Sequence, residues 1–107
     1  MAYQVVWSAT ALEDVEAIAS YISRDSIFYA GAVVSKVVNS TRNLENFPFA
    51  GRIVPEFGME TIRKVFAYSY RIIYRIESQT VTVATLIHVR RELAMWPDSL
   101  SGPLNIE

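Results

Sequence analysis

One imidazole bounds the chemistry this chain can carry: His88, in the stretch LIHVRREL that covers 86–93. Arg90 and Arg91 stand just beyond it, and Arg71 and Arg75 lie in the preceding apolar stretch. Cleavage of RNA through the 2′-hydroxyl needs a base, an acid for the leaving oxygen and cations around the phosphate. His88 supplies an acid or base. Arg71, Arg75 and Arg90 supply phosphate ligands, because a guanidinium pairs with phosphate bidentately. Strand alternation places His88 and Arg90 on one face, with Arg71 on the adjacent strand, and sends Tyr70 and Tyr74 to the face opposite Arg71. The competing reading makes His88 a strand-end histidine and the arginines a solvated sheet face.

Other chemistries are excluded more firmly. The chain has no cysteine and a single histidine, so no metal site or cofactor is expected and thiolate chemistry is absent. The segment AGRIVPEFG lacks the lysine–serine pair of a phosphate-binding loop. No nucleophile elbow accompanies His88. Glu13, Asp14 and Glu16 read as surface acids favoured by a helix dipole.

These residues need a scaffold. YQVVW (3–7) is β-branched and aromatic and predicts a strand, with Trp7 as a core anchor. A helix is expected over 9–23, capped by Ser8 or Thr10, with Leu12, Val15, Ala19 and Ile22 as its apolar stripe. Ser26 caps a second helix expected over 27–46, burying Ala30, Val33, Val34, Val37, Thr41 and Leu44. The segment 47–61 reads as a long loop pinned to the core by Phe47, Phe49, Ile53 and Phe57. Strands over 62–67, 69–77 and 80–89 follow as an antiparallel meander. The expected fold is α+β, in the order β-α-α-β-β-β. An antiparallel two-helix hairpin packs on a small, mainly antiparallel four-stranded sheet. Residues 1–97 form one domain and 98–107 a polar tail.

Composition adds limits. Half the residues are hydrophobic, enough for a core in 107 residues. No apolar run approaches the ~20 residues of a membrane span, and the N-terminus does not resemble a signal peptide, so a cytoplasmic location without membrane contact is expected. Net charge is −1, yet residues 52–91 hold seven basic groups against three acids. That basic middle between acidic ends suggests one positive face.

Three pieces in this order resemble the RelE/ParE superfamily of bacterial toxins from type II toxin–antitoxin systems. They are the FP-x-x-GR-x-x-PE loop (47–56), the YRI-x-Y strand (70–74, here YRIIY) and the H-x-RR ending (88–91). The resemblance runs over nearly the whole chain. It implies two N-terminal helices on a small antiparallel sheet, and a labile antitoxin that folds onto the toxin and covers apolar surface. It also implies two functional branches. RelE-like members cut mRNA on the ribosome, and there Arg71, His88 and Arg90 match positions used for catalysis. ParE-like members inhibit DNA gyrase and lack that set. The slight acidity, the two lysines and a last segment without tyrosine favour the ParE-like branch. On that reading Arg63, Arg75, Arg91 and Trp96 are candidates for contact with a protein partner. A non-toxic module that only binds antitoxin is the third expectation.

Overall fold

The computed structural model describes residues 2–89. The notable feature is a sheet of five strands in the order β1-β5-β4-β3-β2, with a helix hairpin on one face. The elements are β1 (Gln4–Trp7), α1 (Ala9–Ser23), α2 (Ile27–Arg42), a 3-10 turn (Asn43–Glu45), β2 (Arg52–Ile53), a second 3-10 turn (Pro55–Phe57), β3 (Ile62–Ala67), β4 (Tyr70–Glu77) and β5 (Thr80–His88). The α+β fold expected from the sequence is present. The expected four strands become five because Arg52 and Ile53, placed in a loop above, pair antiparallel with Lys64 and Arg63. β1 pairs parallel with β5, and the remaining neighbours are antiparallel.

Both helices start at serine caps. Ser8 accepts from the Ala11 amide at 3.0 Å, and Ser26 accepts from the Tyr29 amide at 3.0 Å. The face of α1 turned to the sheet is Ala11, Val15, Ile18 and Ile22. Leu12, assigned to the stripe above, is 53% exposed. The ties from α1 to β5 described below fix this rotation, which sequence periodicity leaves free by one residue. On α2 the buried residues are Ala30, Val33, Val37 and Thr41, and Leu44 follows in the 3-10 turn. Val34 is only half-buried and lines a shallow groove with Ile27 and Gly31. The helix ends at Arg42 rather than residue 46, because the chain tightens into the 3-10 turn.

The loop 47–61 is held differently from the expectation. Phe47, Phe49, Ile53 and Phe57 are 42–66% exposed. The loop is instead tied by polar contacts. Buried Tyr74 donates its hydroxyl to the Pro48 carbonyl at 2.8 Å and accepts from the Gly51 amide at 3.0 Å. A β-carbon at Gly51 would stand 2.5 Å from the Tyr74 hydroxyl and 2.6 Å from the Lys64 carbonyl, so only glycine fits there. Arg63 completes the clasp, donating to the carbonyls of Phe49, Gly51 and Glu60 at 2.8–3.1 Å. Burial pushes the Tyr74 phenol pKa up, against the opposing pull of the Gly51 amide and the Arg63 charge.

Candidate functional site

The position of His88 is decided by one extra residue in β5. Ile73 pairs with Thr85 and Tyr74 with Val83, so Ala84 has no partner on β4 and forms a bulge. A bulge resets the alternation of the strand beyond it. Val81 and Val83 face the helices before it, and Leu86 and His88 face them after it.

Two side chains of the first helical segment hold that bulge. Ser8 donates its hydroxyl to the Ala84 carbonyl at 2.8 Å, and its amide donates to the Val83 carbonyl at 3.0 Å. Asp14 accepts on one carboxylate oxygen, Oδ2, from the Thr85 hydroxyl at 2.7 Å and from the Leu86 amide at 3.0 Å. Backbone groups that the bulge removes from the ladder thus find partners on the helix. Asp14 is therefore half-buried and built into the fold, where the sequence reading made it a surface acid.

The reset separates the residues that the nuclease reading brought together. His88 pairs with Tyr70 across the strands, and their rings meet edge to face with centroids 5.2 Å apart. Arg71 pairs with Ile87 on the opposite face. There it is 2% exposed, with its guanidinium carbon 5.2 Å from the centre of the Phe66 ring. The expectation that His88 stands near Arg71 and away from Tyr70 is thus reversed. The cause is the bulge, which strict alternation cannot anticipate.

The remaining candidates fall as follows. Arg75 lies on the Arg71 face, is half-exposed and sits 3.4 Å from Glu77. Arg63 spends its donors on the loop carbonyls, with its guanidinium over the Phe49 ring at 5.0 Å. Arg90, Arg91, Trp96 and the tail 98–107 lie outside the described residues. Among the described residues no cluster suits a metal ion, and no helix is long and apolar enough to cross a membrane.

On the helix side His88 opens into a cleft of about 480 Å³ between α1 and the ends of β4 and β5. Asp14, Tyr21, Tyr70 and His88 supply its polar lining, and Ala17, Ile18 and Leu86 its apolar part. Sequence reasoning missed Asp14, Tyr21 and Tyr70 as neighbours of His88. Asp14, Ala17, Ile18 and Tyr21 share one helical face, but nothing local shows which strand residues meet it.

A family model described as the ParE toxin of the type II toxin–antitoxin system parDE matches residues 5–93. The chain belongs to the ParE toxin family. Solved structures share the fold at low identity. The chromosomal ParDE system of P. aeruginosa is 16% identical, with a TM-score of 0.67, covering 80% of this chain and 95% of that one. The RelBE2 toxin–antitoxin complex of Mycobacterium tuberculosis is 21% identical, with a TM-score of 0.61 and coverage of 82% and 99%. A double arginine-to-alanine mutant of the E. coli toxin RelE in the free state is 18% identical, with a TM-score of 0.62 and coverage of 85% and 87%. No curated protein sequence matches the chain. ParE and RelE proteins are thus both neighbours of this chain in fold.

Proposed function

We propose that this ParE-family chain is a toxin that inhibits DNA gyrase stoichiometrically and is neutralised by a cognate antitoxin. The observation that carries this reading is the division of the nuclease candidates by the sheet. His88 faces the helices, and Arg71 lies buried on the far side against Phe66. An acid–base catalyst and a phosphate ligand must converge on one phosphodiester. A group acting by binding has no such requirement.

Partner binding is supported by apolar side chains left in water. Ile27 and Phe28, at the start of α2, are 79% and 86% exposed. Phe47, Phe49, Phe57 and Met59 are each at least half-exposed along the 47–61 loop. Exposed apolar clusters of this kind mark protein contact surfaces. The P. aeruginosa and M. tuberculosis relatives are components of toxin–antitoxin systems, and the same kind of partner is assigned to this chain.

Lys64, Arg71 and Arg75 share the face away from the helices by their cross-strand register. That face keeps a second reading, ribosome-dependent cleavage of mRNA, with exposed Arg75 as the phosphate ligand, since Lys64 and Arg71 are 7% and 2% exposed. The test is supercoiling by purified gyrase with the full chain added free of antitoxin. Inhibition with cleaved DNA trapped on the enzyme is expected. Unimpaired supercoiling by a folded, growth-arresting sample would reject the gyrase reading.

A further inference from the structure

We infer that the cleft between α1 and the ends of β4 and β5 is a binding site for a guanidinium group, carried on an arginine side chain. The inference does not depend on which cellular target the toxin has. It starts from Asp14. This half-buried carboxylate has both of its hydrogen bonds on Oδ2, from Thr85 and Leu86. Oδ1 makes no hydrogen bond to a described residue, and no described cation lies within ion-pairing distance of Asp14. A carboxylate in a cleft wall with an open oxygen is an acceptor for a charged donor.

The rest of the lining selects the donor. Tyr21 and Tyr70 present aromatic rings, and His88 stands edge to face against Tyr70. Asp14 is the lining's formal charge among the described residues, and it is negative. A negative group beside aromatic rings attracts cations, and a planar guanidinium both stacks on a ring and donates in the plane. Tyr21 already shows this affinity: the guanidinium carbon of Arg24 lies 5.9 Å from its ring centre. Ala17, Ile18 and Leu86 leave an apolar strip suited to the methylene stem of the same side chain. The volume of about 480 Å³ admits one long side chain.

The experiment uses the full chain labelled for NMR and titrates a blocked glycine–arginine–glycine peptide, with the isosteric citrulline peptide as the neutral control. Free agmatine is a further arm that separates a side chain presented on a backbone from a small free guanidinium compound. The arginine peptide is expected to shift the Tyr21, Tyr70 and His88 ring signals in a saturable way. Citrulline is expected to bind at least about tenfold more weakly, the scale of one charge-assisted contact. Agmatine binding more weakly than the peptide supports the side-chain source. Agmatine binding more tightly would overturn that source. Asp14→Asn keeps an acceptor for Thr85 and Leu86 while removing the charge, so it should fold and lose about tenfold in affinity. Tyr21→Ala, at a position 67% exposed, should keep its melting temperature and still weaken binding. Equal binding of the arginine and citrulline peptides, or no shift at these rings, would overturn the proposal.

Discussion

Replacing Tyr74 with phenylalanine removes one oxygen and leaves the ring in place. That oxygen is the partner of two backbone groups in the 47–61 loop, the Pro48 carbonyl at 2.8 Å and the Gly51 amide at 3.0 Å. Both contacts are buried. A buried backbone group left without a partner costs about 1–3 kcal/mol. Two such groups place the loss at about 2–4 kcal/mol, allowing some relaxation of the loop. Urea unfolding followed by tryptophan fluorescence reads this as a lower midpoint at an unchanged slope. Amide exchange at Gly51 should accelerate more than exchange in the β4–β5 ladder. The same phenol links stability to pH. Its folded pKa lies above the ordinary tyrosine value. Its protonated form is therefore favoured by folding, and the contribution is complete below the unfolded pKa and is lost as pH rises through the folded one. Stability of the wild type should fall above about pH 10 more steeply than that of the phenylalanine variant. A change below about 0.5 kcal/mol, with no change in the alkaline slope, would refute the clasp as a source of stability.

Other outcomes follow from the same geometry. Gly51→Ala drives a methyl into the Tyr74 hydroxyl and the Lys64 carbonyl, and thermal melting should show a loss of about 1–3 kcal/mol. Val33→Asp buries a charge in the main core and should abolish cooperative unfolding, whereas Val34→Asp, at a half-buried groove position, should leave a folded chain in circular dichroism. Arg75→Ala should move stability by less than about 0.5 kcal/mol, because its ion pair with Glu77 is largely solvated.

Much of the fold is legible in the residues because local rules and packing agree. Ser26 announces the second helix start, Ser8 is one of two caps the sequence offers for the first, and 3.6-residue spacing finds Val33, Val37 and Thr41 on α2. The tight turns before β4 and β5 are legible from spacing. Their first residues, Tyr68 and Ser78, nonetheless take φ of 56°, a value the sequence does not advertise with glycine. Three features stayed hidden, each for a physical reason. The rotation of α1 is set by Ser8 and Asp14 bonding to β5, more than 70 positions away. The loop is held by a tyrosine hydroxyl, so its phenylalanines mislead when hydrophobicity is read as burial. The Ala84 bulge leaves no mark in residue type, yet it turns His88 toward Tyr70 and away from Arg71. The resemblance found the family. The placement of the candidate site needed the register of one strand.

The most direct test compares the wild-type chain with His88→Ala in two parallel assays, gyrase supercoiling and cleavage of ribosome-bound mRNA. Gyrase inhibition by binding predicts that both proteins inhibit gyrase to a similar degree and that mRNA stays intact with either. Uninhibited gyrase together with mRNA cleavage that disappears on loss of His88 would contradict it.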